Sequence, residues 1–455
     1  MVTVLEHCQI SPPPGTVAEK LFPLSFLDLG WLPTPPPQAV HFFDFPHPAA
    51  YFRQTVVPDL KASLSLTLKH FLPFAGKLIL PIDPDSGWPR FRYADGDSVP
   101  VTFAECHTDY DDLVGYHARN ANDFHPLVPQ LPPAVHASDC VIGPVLAIQV
   151  TVFPNKGICL GMTNDHAACD ANGILGFLRA WSSITQLGDD AAYAASGAVP
   201  LCDRTVIKDT KGIGAIVWSE IGKMRYQQLP LPSLPSDQVL ATFLITRANI
   251  QGLKNLVLPS TKRVSSFVVA CAYLWTCLAK MTAASSTGQE LRDENEVEHF
   301  SSPVDCRARL DPPLPETYFG NCLAPCISTA KAAQILGEDG FTTAVETIGE
   351  ALKKRLDNGE EGLFKGAERG LAEFVEKMGQ RIIGVAGSPK FDFYGIDFGW
   401  GKPRKYEIVS INYTGAIQIS GCKDSSGDLE IGLSVPKSKM DAFATIFEDG
   451  LKNIV

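Results

Sequence analysis

Leu146-Ala147-Ile148-Gln149-Val150-Thr151-Val152-Phe153, followed by Pro154-Asn155-Lys156-Gly157 and the run Ile158 to Thr163, organises the reading of this chain. Two apolar, β-branched runs around a Pro-Asn-Lys-Gly turn predict a β-hairpin. The returning strand leads directly into His166-Ala167-Ala168-Cys169-Asp170. Beyond it, Gly173 to Ile184 carries Ile174, Leu175, Leu178 and Trp181 at helical spacing, so His166 is expected on a strand-to-helix turn. Loops held by rigid flanks commonly carry chemistry.

Working outward, Pro58 to Leu72 opens with Pro at a helix start and repeats Leu60, Leu64 and Leu68 every four residues, which predicts a core helix. Pro73-Phe74-Ala75-Gly76 stops it, and Lys77 to Pro81 reads as a strand. Downstream, Ser265 and Ser266 precede a helix with Phe267, Cys271, Leu274 and Leu278 on one face, followed by a polar loop around Thr282 to Glu298.

At 455 residues the chain exceeds the size at which single cores stop growing, so two domains are expected. The composition turns small and acidic near Gly188 to Pro200 and Pro-rich from Gln227 to Ser236, which suits an interdomain connection. We expect one domain over residues 1–190, a connection over 191–235 and a second domain over 236–455.

A formal charge of −11, with no Lys/Arg run, disfavours nucleic acid and anionic membrane surfaces as partners. Twelve cysteines fall without a C-x-x-C or other framework, so reduced thiols in the cytosol are expected. No basic N-terminal start leads into an apolar core, and no stretch reaches about 18 uncharged apolar residues, so neither secretion nor membrane spanning is expected.

His166 and Asp170 are candidates for base chemistry: a neutral imidazole held in one tautomer can take a proton from a hydroxyl. The bland alternative is a core histidine satisfied by a neighbour. H-x-x-x-D strings also arise by chance, and His107 to Asp111 is a second copy in an acidic, solvated stretch. Asp170 could orient the imidazole or fix the turn through a salt bridge, with Arg307 and Arg309 as candidate partners; the structural role is favoured. Asp397-Phe398-Gly399-Trp400-Gly401 matches neither a dinucleotide loop nor a phosphate loop, and reads as a tight aromatic turn, with a structural role for Asp397 favoured over a contact to cofactor. No G-x-S-x-G elbow offers a nucleophilic serine, and His166 has no second His at metal-ligand spacing.

Together, His166-x-x-x-Asp170, Asp397 to Gly401 and Tyr318-Phe319-Gly320-Asn321-Cys322 resemble the plant BAHD acyl-CoA-dependent acyltransferases, the last string marking their flavonoid-glycoside and anthocyanin branch. Supporting stretches are Leu66 to Leu78, Val264 to Lys280, Asp305 to Arg309 and Asp428 to Leu433. The resemblance implies an α/β fold of two chloramphenicol-acetyltransferase-like domains of mixed β-sheet and helices, with the active site in a channel between them. It further implies His166 as general base, acyl-CoA as co-substrate with malonyl-CoA favoured and hydroxycinnamoyl-CoA as the alternative, and a glycoside acceptor. It implies no metal, no permanently bound cofactor and a cytoplasmic monomer. By the same resemblance Lys254, Ser265 and Ser266 map onto CoA contacts. A non-catalytic ligand-binding protein on the same scaffold is the alternative of another class.

Three residues depart from the branch, one of them Cys169, which stands before Asp170 where many members carry Gly. Asp165 stands before His166, where a carboxylate would raise the imidazole pKa unless solvent screened it. Ile174 occupies a position that is Arg in some malonyl-using relatives.

Overall fold

The computed structural model describes the chain except for residues 224–232, 258–263, 286–295, 358, 371–372, 374–375, 378–379, 453 and 455. The Pro-rich part of the expected connection and most of the loop after Thr282 therefore lie outside the described residues.

The predicted hairpin forms from Leu146–Phe153 and Gly157–Asn164, paired from Leu146 with Asn164 to Phe153 with Gly157. Asn155 takes φ 61 in the turn, a left-handed conformation that asparagine tolerates better than most residues. Every residue of both strands is buried, which explains why they read as continuous apolar runs rather than alternating ones. The hairpin lies inside a six-stranded sheet, ordered Val2–Ile10, Val99–Cys106, Leu146–Phe153, Gly157–Asn164, Gln38–Asp44 and Lys405–Ile408. The predicted core helix is Val57–His70, whose Leu60, Leu64 and Leu68 are buried; it packs on the helix Ala171–Leu187 that follows Asp170.

The second large sheet has seven strands, ordered Ile327–Lys331, Val297–Ser301, Arg381–Ala386, Ile417–Gly421, Leu429–Pro436, Gln238–Ile245 and Arg119–Asn120. The helix Ser266–Ser285 crosses its core and carries Cys271, Leu274, Trp275 and Leu278 inside. Over Ser266–Ala284 this helix, which includes Lys280, is long and apolar enough to cross a membrane; 72% of that window is buried within the protein, as a core helix requires.

The sheets do not follow the 190 and 235 boundaries strand for strand. Lys405–Ile408 completes the first sheet by pairing with Gln38–Asp44, and Arg119–Asn120 completes the second by pairing with Gln238–Ile245. Residues 204–223 of the expected connection pack on the first core through Ile207, Ile213, Val217, Trp218 and Ile221. Where the strands exchange, Arg119 meets Glu407 at 2.8 Å and Lys405 meets Glu430 at 3.0 Å, all four side chains fully buried. Tyr116 and Tyr394 donate to Glu430 at 2.5 and 2.7 Å. Burial opposes the charge on Glu407, but Lys405 and Arg119 outweigh it and hold the carboxyl below its ordinary value.

Candidate active site

The hairpin delivers its last strand to a short 3-10 turn, His166–Ala168. Asp165 starts that turn: its backbone N–H donates to the Val145 carbonyl at 2.8 Å, and its Oδ1 accepts from the Ala167 N–H at 2.9 Å. Asp170 then caps the helix Ala171–Leu187 through Oδ1, which accepts from the N–H groups of Asn172 and Gly173 at 3.1 and 3.3 Å. The histidine thus sits between two aspartate caps. Gly173 is required here, because a Cβ at that position would come within 2.5 Å of the Cys169 Cβ.

Asp170 is engaged on both oxygens. Arg307 meets it end-on, Nη2 to Oδ1 at 2.9 Å and Nη1 to Oδ2 at 2.8 Å, and the Cys322 N–H donates to Oδ2 at 3.0 Å. Of the two candidate arginines, Arg309 points away and donates to the Asp305 carbonyl instead. Burial works against the Arg307 charge, and Asp170 more than offsets it, raising the guanidinium pKa. This bidentate, buried pair holds the backbone of the turn, and among the described residues no hydrogen bond joins Asp170 to the His166 ring.

The carbonyls of the turn are held as well. Asn321 donates from Nδ2 to the His166 carbonyl at 2.9 Å, and Arg204 donates to the Ala168 carbonyl at 2.6 Å. Asn321 and Arg204 both converge on the buried Asp28, whose Oδ1 accepts from the Asn321 amide at 3.1 Å and whose Oδ2 lies 3.2 Å from Arg204 Nε. Sequence reasoning used Asn321 only as part of a family string and assigned nothing to Arg204 or Asp28. Their signal was faint: Ser25 and Asp28 form a capping box, which reads as a local helix start rather than as an anchor for a distant loop.

Trp31 was also missed. Its indole stacks on the His166 imidazole with ring centroids 3.9 Å apart and planes 12° apart. The ring is half-buried, and its Nδ1 makes no hydrogen bond to the protein. Burial lowers the imidazole pKa below 6.5, against smaller raising contributions from its own backbone, Asp170 and Asn321. Asp165 is not among the groups that shift it: half-buried, it has its own carboxyl pushed up to about 6 by burial, and its Oδ1 accepts from the Ala167 N–H. The imidazole is therefore neutral at pH 7 and able to accept a proton.

Lys254, Ser265 and Ser266 come together at the start of the long core helix. Lys254 Nζ lies 3.0 Å from Ser266 Oγ, and Ser265 Oγ accepts from the Val268 N–H at 3.1 Å. An ammonium, two hydroxyls and a helix N-terminus at one spot are chemically able to bind an anion. Asp397 folds its own loop: Oδ1 accepts from the N–H groups of Gly399 and Gly401 at 2.7 and 3.0 Å, with both glycines in the left-handed region. Phe398 packs edge-on against Trp181, Trp400 packs edge-on against Phe43, and Gln186 donates to the Asp397 carbonyl. The turn rivets the helix after Asp170 to the strand Gln38–Asp44. Asp397 and the Lys254 group belong to different elements from the histidine, and no contact joins either of them to His166 among the described residues.

Two mixed sheet-and-helix bodies, the first of which carries the H-x-x-x-D turn, make a two-domain acyltransferase fold that solved structures share. Vinorine synthase superposes with a TM-score of 0.69 over 100% of this chain and 98% of its own at 20% identity. The TRI101 enzyme of F. graminearum, solved with coenzyme A and T-2 mycotoxin, gives 0.66 over 93% and 96% at 17% identity. A profile described as the transferase family matches residues 1–450. Malonyl-coenzyme A:anthocyanin 3-O-glucoside-6''-O-malonyltransferase of Dahlia pinnata is 44% identical, covering 100% of this chain and 98% of the relative. Phenolic glucoside malonyltransferase 1 of Nicotiana tabacum is 45% identical over 99% of both. The chain belongs to the BAHD transferase family.

Proposed function

We propose that this protein transfers an acyl group, malonyl by preference, from coenzyme A to a sugar hydroxyl of a phenolic or flavonoid glucoside. His166 is the general base. Its neutral imidazole takes the hydroxyl proton as the oxygen attacks the thioester carbonyl carbon; the tetrahedral oxyanion collapses, the C–S bond breaks, and the imidazolium returns the proton to the departing thiolate. The observation that carries this reading is a neutral histidine locked at a strand-to-helix turn by Asn321, Arg204 and Trp31. Lys254, Ser265 and Ser266 would hold a CoA phosphate. The donor preference is supported by full-length relatives that use malonyl-CoA at 44% and 45% identity.

A hydroxycinnamoyl donor is the second reading. It is favoured by Ile174, an aliphatic side chain where a cation would read a malonyl carboxylate, and by a coumaroyltransferase of Arabidopsis thaliana at 38% identity over 99% of this chain. Incubation with acetyl-, malonyl- and coumaroyl-CoA and one anthocyanin glucoside, followed by product masses, decides between them. A malonyl ester from the native protein and none from His166→Ala is the expected result. No ester from any donor, with ligand binding intact, would instead indicate a non-catalytic protein.

A further inference from the structure

An open pocket of about 360 Å³ lies between the end of the strand Gln38–Asp44, the helical segment from Ala49 to His70 and the Asp397 turn. Thr185 borders it near the C-terminal end of the helix Ala171–Leu187, roughly 20 Å from Asp170 at 1.5 Å per residue. The cavity is therefore separate from the His166 turn. Its volume falls within the roughly 300–1,000 Å³ usual for small-molecule sites.

Its walls are aromatic and acidic. Phe45 and Tyr51 lie nearly parallel, 29° apart with centroids at 6.0 Å; His47 stands 4.8 Å from each, and Trp400 meets Phe45 edge-on at 6.0 Å. Asp44 and Asp59 add two carboxylates, and no Lys or Arg lines the space. Arg404 reaches Asp44 at 3.3 Å, whereas Asp59 has no ion pair among the described residues. One wall is a π-helix, Phe52–Val56, which contributes Thr55 and Val56. Such insertions interrupt the helical hydrogen-bond ladder and are retained mostly where a site is built.

Aromatic faces take flat rings or cations, carboxylates accept hydrogen bonds from hydroxyl groups, and the Asp59 carboxylate, with no ion pair among the described residues, disfavours anions such as CoA. We infer that this cavity binds a flat, hydroxylated aromatic molecule carrying no negative charge, at a place distinct from the catalytic histidine. The inference stands independently of the acyl-transfer reading, although aromatic glucosides are one source of such a molecule.

The test is equilibrium binding of 4-methylumbelliferyl glucoside, a flat uncharged probe, with 4-methylumbelliferyl sulfate as the anionic control. The proteins are the full chain, a Tyr51→Ala/Asp59→Asn double variant and His166→Ala. Tyr51 and Asp59 are exposed, so the double variant should fold, which a thermal melt verifies. The native protein and His166→Ala should each bind one equivalent more of the glucoside than the double variant, or bind it at least tenfold more tightly, and the sulfate should show no such difference. Equal binding by native and double-variant proteins would overturn the site, as would sulfate bound there as well as glucoside. If no donor supports turnover but the difference persists, the cavity stands and the acyl-transfer reading falls.

Discussion

The Trp31 indole lies flat against the His166 imidazole, with ring centroids 3.9 Å apart. One face of the ring is thereby closed to water, and the indole face can accommodate the positive charge that the imidazole gains on taking a proton.

His166→Ala should lower kcat by about two to four orders of magnitude, the range for loss of a general base. Trp31→Ala should lower it by about two- to tenfold, matching about 0.5–1.5 kcal/mol for a stacked pair, with Trp31→Phe recovering most of the loss. Burial lowers the imidazole pKa, so removing Trp31 should move the acid limb of kcat/KM upward toward 6.5. An unmoved limb would show that the stack does not govern the base.

Asp165→Asn preserves the oxygen that caps the His166 turn. Activity should stay within about threefold of native and the acid limb should not shift, because burial rather than Asp165 sets the imidazole pKa. A limb displaced by a full pH unit would restore the carboxylate to a direct role.

Asp170→Ala strands the buried Arg307 charge and removes a helix cap. The cost should be about 3–5 kcal/mol in urea unfolding, with kcat falling alongside. A variant of native stability with no activity would instead place Asp170 in the chemistry itself.

Lys254→Ala should raise KM for the CoA donor about tenfold and leave KM for the acceptor and kcat nearly unchanged, as loss of a phosphate contact predicts. Equal changes in both KM values would remove Lys254 from the donor site.

Thermal stability should fall on acidification in two stages. His41 is buried against the stacked pair Phe393 and Tyr406, and burial lowers its pKa from 6.5 to about 3. The unfolded chain therefore binds this proton first, so stability declines as pH drops from about 6.5. Glu407, held below its ordinary 4.5, contributes stability that is complete above that pH and lost as pH falls through its folded value. His41→Phe should flatten the first stage alone, as followed by melting temperature from pH 7 to 4.

The hairpin, the strand after Gly76 and the helix after Asp170 were legible because each is local, with apolar runs bounded by turn or capping residues. The Asp170 salt bridge could be narrowed to two arginines, since a buried carboxylate beside a turn needs a cation. What holds the histidine was harder to read. Trp31, Arg204 and Asn321 approach it from three distant parts of the chain, and nothing in their neighbours marks them as converging. The strand exchange was invisible for the same reason: Lys405–Ile408 has an ordinary β pattern, and only the fold shows which sheet receives it.

That exchange constrains how the molecule comes into being. Until residue 408 has been synthesised the sheet that leads to His166 lacks its edge strand, so the N-terminal part alone would present the unpaired edge of Gln38–Asp44 to other chains.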